Sequence, residues 1–457
     1  MAEKMMAEDR RIATGENKLG KMPIGKLLAV MSLPTTFSML IQALYNIVDS
    51  IFVSHFSEKA LTAVSLAFPL QMLMFSFSIG TSIGTCSVIS RRLGEGREDA
   101  ADRTAQSGFS LILCFMLLFM LVGAFGSTLF VKLYTDDPEL VQMTVTYLRI
   151  CLIVSLGGFV NVFCEKTLQA TGDTIHPMVI QASGAIFNII FDPILIFGYL
   201  GFPAMGVAGA AIATVAGQIF AMVLGMIFLK RNQYINIRFL RPHMAKAEVR
   251  DILQVGIPSI IMQGIGTVMT SLMNAILIVY DVLATTVFGV YFKLQSFVFM
   301  PVFGMNSGLM PILGFNYGAK NRARMMKALK LGLVCAFVFM SLGAAVFILF
   351  PDALLGLFNA SDALKTIGEV ALRRIAVTFP MAAIAIITGA LFQAMGDGIY
   401  SMIISIVRQL FLLIPSAWIL GKLFGLDAVW FSFMFAELFA LALSIIFFRK
   451  ELRKLDF

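Results

Sequence analysis

The stretch "LYNIVDSIFV", Leu44–Val53, sets a carboxylate, Asp49, inside a long apolar run. It is not alone there: Ser38, Gln42, Tyr45, Asn46 and Asp49 follow one another at helical spacing and share one face. A second acid stands in "FNIIFDPILIFG", where Asn188 and Asp192 are one helical turn apart and so also share a face. Pro193 follows at once and removes a backbone donor beside that carboxylate. Carboxylates and amides in apolar surroundings suit one chemistry above others. They hold a proton, or an oxygen-preferring cation such as sodium. The remaining reactive types are not arranged for catalysis. Cys86, Cys114, Cys151, Cys164 and Cys335 lie in apolar segments without a CxxC and read as small buried hydrophobes. His55, His176 and His243 form no ligand pair, and neither a GxxxxGK[ST] loop nor a GxSxG elbow occurs. These residues predict no enzyme and no cofactor beyond a coupling ion.

Such acids must be positioned by membrane helices. The 457 residues are 59% hydrophobic and 14% charged, against about 25% charged in soluble domains. Apolar runs of roughly 20 residues, each long enough to cross a bilayer core, recur along the chain. Twelve spans are read, at 27–54, 61–90, 104–131, 140–168, 177–199, 205–229, 250–280, 283–317, 327–351, 366–394, 399–421 and 426–448. Lys and Arg concentrate in the N-terminus, "RRLGEGREDAADR", "KRNQYINIRFLRPHMAKAEVR", "KNRARMMKALK" and "RKELRK", all on one side of that topology. The opposite side holds Lys59, Lys132, Lys365 and Lys422. The positive-inside rule then predicts both termini cytoplasmic. The net charge of +8 becomes a topology signal and not a nucleic-acid footprint. The segment 1–26 carries no apolar core of a signal peptide.

The two halves repeat at one constant offset. Pro34 matches Pro258, Gln71 matches Gln295, Gly80 and Gly84 match Gly304 and Gly308, Arg149 matches Arg373, and Asp173 matches Asp397. An even-numbered six-helix unit re-enters from the same side, so the repeat is parallel. The fold expected is all-α and polytopic, with two six-helix lobes related by a pseudo-two-fold axis along the membrane normal. Its parts are a cytoplasmic segment 1–26, an N-lobe 27–229, a cytoplasmic linker 230–249, a C-lobe 250–448 and a cytoplasmic tail 449–457. The acidic site was not duplicated: Asp49 maps to Met273, Gln42 to Gly266, Tyr45 to Met269, Asn188 to Leu412 and Asp192 to Ser416. Glu165, Lys166, Lys293, Arg408 and Glu437 are further intramembrane charges. Lys166, Lys293 and Arg408 read as braces or snorkelling side chains. Lys293, Arg408 and Glu437 are also candidates to line a cavity.

Taken together, "VDSIFVSHFSEKALTAVSLAFPL", "LQATGDTIHPM", "NIIFDPILIFG", "GVAGAAIATVAGQ", "FVFMPVFGMNSGLMPILGFNYGAKN" and "FQAMGD" resemble the multidrug and toxic compound extrusion (MATE) exporters over about residues 25–448. The resemblance implies ion-driven export of small organic compounds, often cationic or amphipathic. The implied cation site is Asp49, Asn188, Asp192 and Thr214, for proton or sodium. It implies a helix-bending role for Pro34 and a drug chamber at Gln42, Tyr147 and Asn161, to which the polar stripe adds Tyr45 and Asn46. Glu165 stands where a neutral polar residue is expected. Branches coupled through the C-lobe carry acids that this chain lacks at Met273 and Ser416, which favours the N-lobe-coupled, DinF-like branch. The location implied is multi-pass in the plasma membrane, the inner membrane in a bacterium, with the monomer as the working unit. Two other readings remain. A flippase for lipid-linked oligosaccharide would need a strongly basic cavity, and a channel or scaffold would not need a one-sided acidic site.

Overall fold

Every spanning segment must satisfy its backbone donors and acceptors internally, and the apolar runs do so as helices. The structure, a computed structural model, describes residues 17–239, 243–358 and 360–453; among these there is helix and loop but no strand. Positions 1–16 of the N-terminal segment, 240–242 of the linker and 454–457 of the tail lie outside the described residues. Twelve spans follow in order among those described. The N-lobe has α1 (Ile24–Phe56), α2 (Glu58–Gly94), α3 (Glu98–Lys132), α4 (Pro138–Ile153 with Leu156–Ala170), α5 (Ile175–Phe197) and α6 (Val207–Lys230). The C-lobe has α7 (Lys246–Leu277), α8 (Val282–Gly318), α9 (Arg322–Leu349), α10 (Asp362–Ala376 with Phe379–Met395), α11 (Gly398–Phe424) and α12 (Leu426–Leu452).

Two spans differ from the sequence expectation. Residues 140–168 and 366–394, read as single spans, are each broken, with bends of 47° in α4 and 48° in α10. In α10 the break precedes Phe379-Pro380, where proline cannot donate to the preceding turn. The twin break in α4 has no proline, so the bend belongs to the repeated architecture and not to one residue. The repeat also fixes helix ends: α2 and α8 start at 58 and 282 and end at 94 and 318, the same offset that separates Pro34 from Pro258. Their caps sit at that offset too, with different chemistry. Ser57 Oγ accepts from Ala60 N at 2.9 Å, and Asp281 Oδ1 accepts from Leu283 N at 2.8 Å.

With an even number of spans, both described ends lie on one face, here the terminal face; the opposite one is the far face. The lobes join in the half nearer the terminal face, α1 against α8 and α2 against α7. Close approach there requires glycine. A Cβ at Gly84 would sit 2.3 Å from the Ile252 carbonyl oxygen, and one at Gly308 2.6 Å from that of Met31. Gly80 and Gly304 make the matching approaches to Ile260 and Thr36. Cross-lobe hydrogen bonds gather in the same half: Thr35 Oγ1 donates to Gly304 O at 2.7 Å, Ser87 Oγ to Gln393 O at 2.5 Å and Arg91 Nη1 to Met395 O at 3.2 Å. The segment before α1 seals the terminal face. Asn17 donates to Thr171 O, while Arg324 donates to Leu19 O and Met22 O.

Toward the far face the lobes part. Gly264, one turn beyond Ile260 on α7, and Gly289 on α8 have nothing within 4 Å of where a Cβ would lie. Thr286, Lys293 and Phe297, on the α8 stripe that Gly304 continues, are exposed. The fold is therefore a cleft closed at the terminal side and open at the far side.

Candidate cation site and cleft

The sequence-predicted acids meet in the far half of the N-lobe, where α1, α5 and α6 pack together. Asn188 and Asp192 are buried on α5, Thr214 is buried on α6, and Asp49 reaches them from α1. Asn188 Nδ2 donates to Asp192 Oδ1 at 3.2 Å and to Thr214 Oγ1 at 3.4 Å, one bond along its own helix and one across to the next. The carboxyl groups of Asp49 and Asp192 lie directly against each other.

What is left over defines the chemistry. Asp49 Oδ1, Asn188 Oδ1 and Asp192 Oδ2 are all buried without a hydrogen-bond partner. Each is an acceptor, and a buried unsatisfied acceptor costs about 1–3 kcal/mol. Two carboxylates in contact at low dielectric also repel unless a positive charge lies between them. A proton shared by the carboxyls, or a sodium ion held by the oxygens, removes both costs. The repeat lacks this deficit. Met273 is fully buried and apolar, and Ser416 Oγ is satisfied by its own helix through Leu412 O at 2.5 Å.

The residues read from sequence as chamber lining divide into three groups. Tyr45 and Tyr147 stand beside the acids: Tyr45 packs near both carboxyls, and Tyr147 is buried against Gln71 and Cys151. Gln42 and Asn46 lie on the α1 face that borders the cleft, Gln42 half-buried and Asn46 exposed. Asn161 and Glu165 sit apart, in the second segment of α4, with Asn161 Oδ1 and Glu165 Oε1 buried and unpartnered. Beside them Lys166 Nζ donates to Gln169 Oε1 at 3.0 Å and across the lobes to Ser307 Oγ at 3.3 Å, the bracing expected of it.

Pro34 lies within an unbroken α1. Lacking an N–H, it leaves the Val30 carbonyl without its helical donor, and Thr174 Oγ1 takes that place at 3.0 Å. The bond ties the proline turn of α1 to the start of α5, the helix that carries Asn188 and Asp192.

Sequence reasoning missed the part of Gln71 and Cys151. Gln71 stood out only as a marker of the repeat, and Cys151 only as a small apolar residue. Their place beside Tyr147 depends on how α2 and α4 pack, which spacing along one helix cannot reveal. The C-lobe holds a different polar feature. Arg408, in a π-helical stretch of α11 (Val407–Leu413), donates to Glu437 Oε1 on α12 at 2.7 Å, so the two charges cancel each other internally.

Comparisons with known proteins agree with this architecture. The MatE family model matches twice, at residues 34–194 and 258–419, and the two starts are the paired prolines of the repeat. The chain is 26% identical to the probable multidrug resistance protein NorM of Thermotoga maritima, over 93% of this chain and 92% of that one. It is 26% identical to the multidrug export protein MepA of Staphylococcus aureus, over 93% and 94%. A solved structure described as the outward-facing conformation of a multidrug resistance MATE family transporter matches with a TM-score of 0.90 and 26% identity, covering 96% of this chain and 98% of that one.

Proposed function

This chain belongs to the MatE family and is a multidrug exporter, and from that premise we propose that it is an antiporter coupled through the N-lobe site of Asp49, Asn188, Asp192 and Thr214. The observation that carries the reading is the trio of buried, unpartnered oxygens on Asp49, Asn188 and Asp192, found in one lobe of a duplicated fold. Loading that trio with an incoming proton or sodium ion relieves repulsion between α1 and α5. The two helices then pack more closely at the far end, while the hydrogen bond from Thr174 to Val30 O holds α1 near Pro34. Ion binding drives the cycle only because the loaded and empty sites favour different arrangements of α1. An inward membrane potential adds about 2.3 kcal/mol per charge per 100 mV.

The cleft open at the far face is the release path for cargo, and the far face is the cell exterior. That orientation is supported by the crowding of Lys and Arg on the terminal side, so both termini are cytoplasmic and the membrane is the plasma membrane, the inner one in a bacterium. The cargo is small, organic and amphipathic, often cationic. The monomer encloses the whole cleft and is the working unit. Asp49 and Asp192, together with the apolar residue Met273 and the self-satisfied Ser416 at their C-lobe counterparts, favour the DinF-like branch. A lipid-linked oligosaccharide flippase would need basic residues where these acids stand.

The test is dye transport in everted membrane vesicles under separately imposed pH and sodium gradients. Asp49→Asn is expected to abolish gradient-driven transport while keeping dye counterflow. Gradient-driven transport at the wild-type rate by that variant would overturn the coupling role.

A further inference from the structure

Among the described residues, Lys293 is an intramembrane cation that neither the lobe packing nor the cation site uses. It stands on α8 about 16 Å along the helix from the far end at Val282, too deep for its side chain to reach the far surface. It is exposed, and it makes no ion pair or hydrogen bond among the described residues. Its direction follows from helix phase. Lys293, Phe297 and Gly304 recur at helical spacing and form one stripe. At Gly304 that stripe is pressed onto α1, within 2.5 Å of Thr36 Cα for an added Cβ. Farther along, the same stripe is uncovered, and Phe297 is 51% exposed. Lys293 therefore faces the N-lobe across the open part of the cleft, not the lipid.

The opposite wall can be placed in the same way. Thr35 Oγ1 bonds Gly304 O, which sets the register between α1 and α8. Asn46 stands as far beyond Thr35 along α1 as Lys293 stands from Gly304 along α8. Both are about 16 Å from that contact, so Lys293 and Asn46 face each other at equal depth. Asn46 and Gln42 offer dipoles but no charge, and the Asp49 and Asp192 carboxyls are turned to one another within the N-lobe. Nothing described on the facing wall neutralises the ammonium. In an open cleft water does so. When the lobes close at the far side that water is lost, and a charge without a counter-ion opposes closure. A cargo bearing an anion supplies the counter-ion, and the exposed Phe297 ring one turn deeper offers a face for a flat aromatic body.

We propose that Lys293 and Phe297 form a recognition subsite for the anionic group of aromatic cargo, so that this exporter carries aromatic organic anions as well as cations. The proposal rests on the exporter reading and goes beyond it by fixing a charge preference to one residue. Two probes of similar size test it: carboxyfluorescein, an aromatic anion, and ethidium, a monocation. Binding is read by fluorescence anisotropy on protein in neutral-lipid nanodiscs, and export in everted vesicles. Wild type is expected to bind carboxyfluorescein saturably. Lys293→Gln should weaken that binding about tenfold, the effect of about 1.4 kcal/mol, and Lys293→Arg should restore most of it. Ethidium transport should rise in Lys293→Gln, because a repelling charge has gone. No saturable carboxyfluorescein binding by wild type, or an equal loss with both probes in Lys293→Gln, overturns the subsite. Wild-type protein that binds carboxyfluorescein through Lys293 but transports neither probe would instead overturn the exporter reading.

Discussion

Adding one methyl group at Gly84 or Gly308 should close the far side of the cleft. Both glycines lie where the lobes touch near the terminal face, and in the transport cycle proposed above that contact is released when the far side closes. A Cβ at position 84 would stand 2.3 Å from the Ile252 carbonyl oxygen and 2.9 Å from Gly256 N; at position 308 it would stand 2.6 Å from the Met31 carbonyl oxygen. Comfortable contact needs about 3.5 Å, so backbones on both sides must separate by roughly 1 Å. Overpacking of this kind costs about 1–3 kcal/mol, which moves a two-state ratio about 5–150-fold. The cost falls on the far-side-open state and is absent once the terminal side parts. Spin labels at 200 and 357 read the change: Leu200 is 83% exposed and Leu357 75%, both at far-face turns, one in each lobe. On a background in which the five cysteines are replaced, Gly84→Ala and Gly308→Ala should each shift the distance distribution to shorter values. Gly289→Ala, with nothing within 4 Å of the new atom, should not. An unchanged distribution in both contact variants, or shifts of opposite sign at these equivalent positions, would refute the two-state account of the glycine seam.

Three further outcomes are expected. Asn188→Leu removes the donor to Asp192 Oδ1 and a site oxygen together. A lost oxygen ligand weakens a site for a cation that prefers oxygen, so the sodium concentration for half-maximal efflux should rise about tenfold, the effect of about 1.4 kcal/mol, in a gradient titration. Glu437→Leu strands Arg408, whose side chain is 23% exposed, and should destabilise the protein by about 3–5 kcal/mol. The double variant Arg408→Met, Glu437→Leu should recover most of that loss in thermal melting. Arg324→Gln releases the segment before α1, which Arg324 holds through Met22 O at 2.8 Å and Leu19 O at 3.2 Å. Faster amide exchange at Leu19–Met22 checks this, with no change expected at Asn188 or Asp192.

The sequence alone determined the features that lie along the chain. Apolar runs of bilayer length require helices because lipid offers the backbone no partners, which is why spans such as 61–90 and 283–317 fall inside α2 and α8. The constant offset between the halves was legible because duplication preserves spacing, and it foretold paired helix ends and the glycines at 80, 84, 304 and 308. Asp49 with Asn46 and Gln42, and Asn188 with Asp192, were legible as helix faces because each set lies within one helix. Tertiary structure decided everything that needs two helices at once. It brought Asp49 against Asp192, set Tyr147 beside Gln71 and Cys151, and neutralised Arg408 with Glu437. It also broke two spans that hydropathy reads as continuous, since a bend of 47° or 48° leaves composition untouched. Above all it decided which half of the lobe interface is shut. The stripe through Gly304, Phe297 and Lys293 is uniform in phase along α8, yet one end is buried and the other open. Helix phase is a local property of the chain, whereas the angle between two lobes is set by where their backbones can touch.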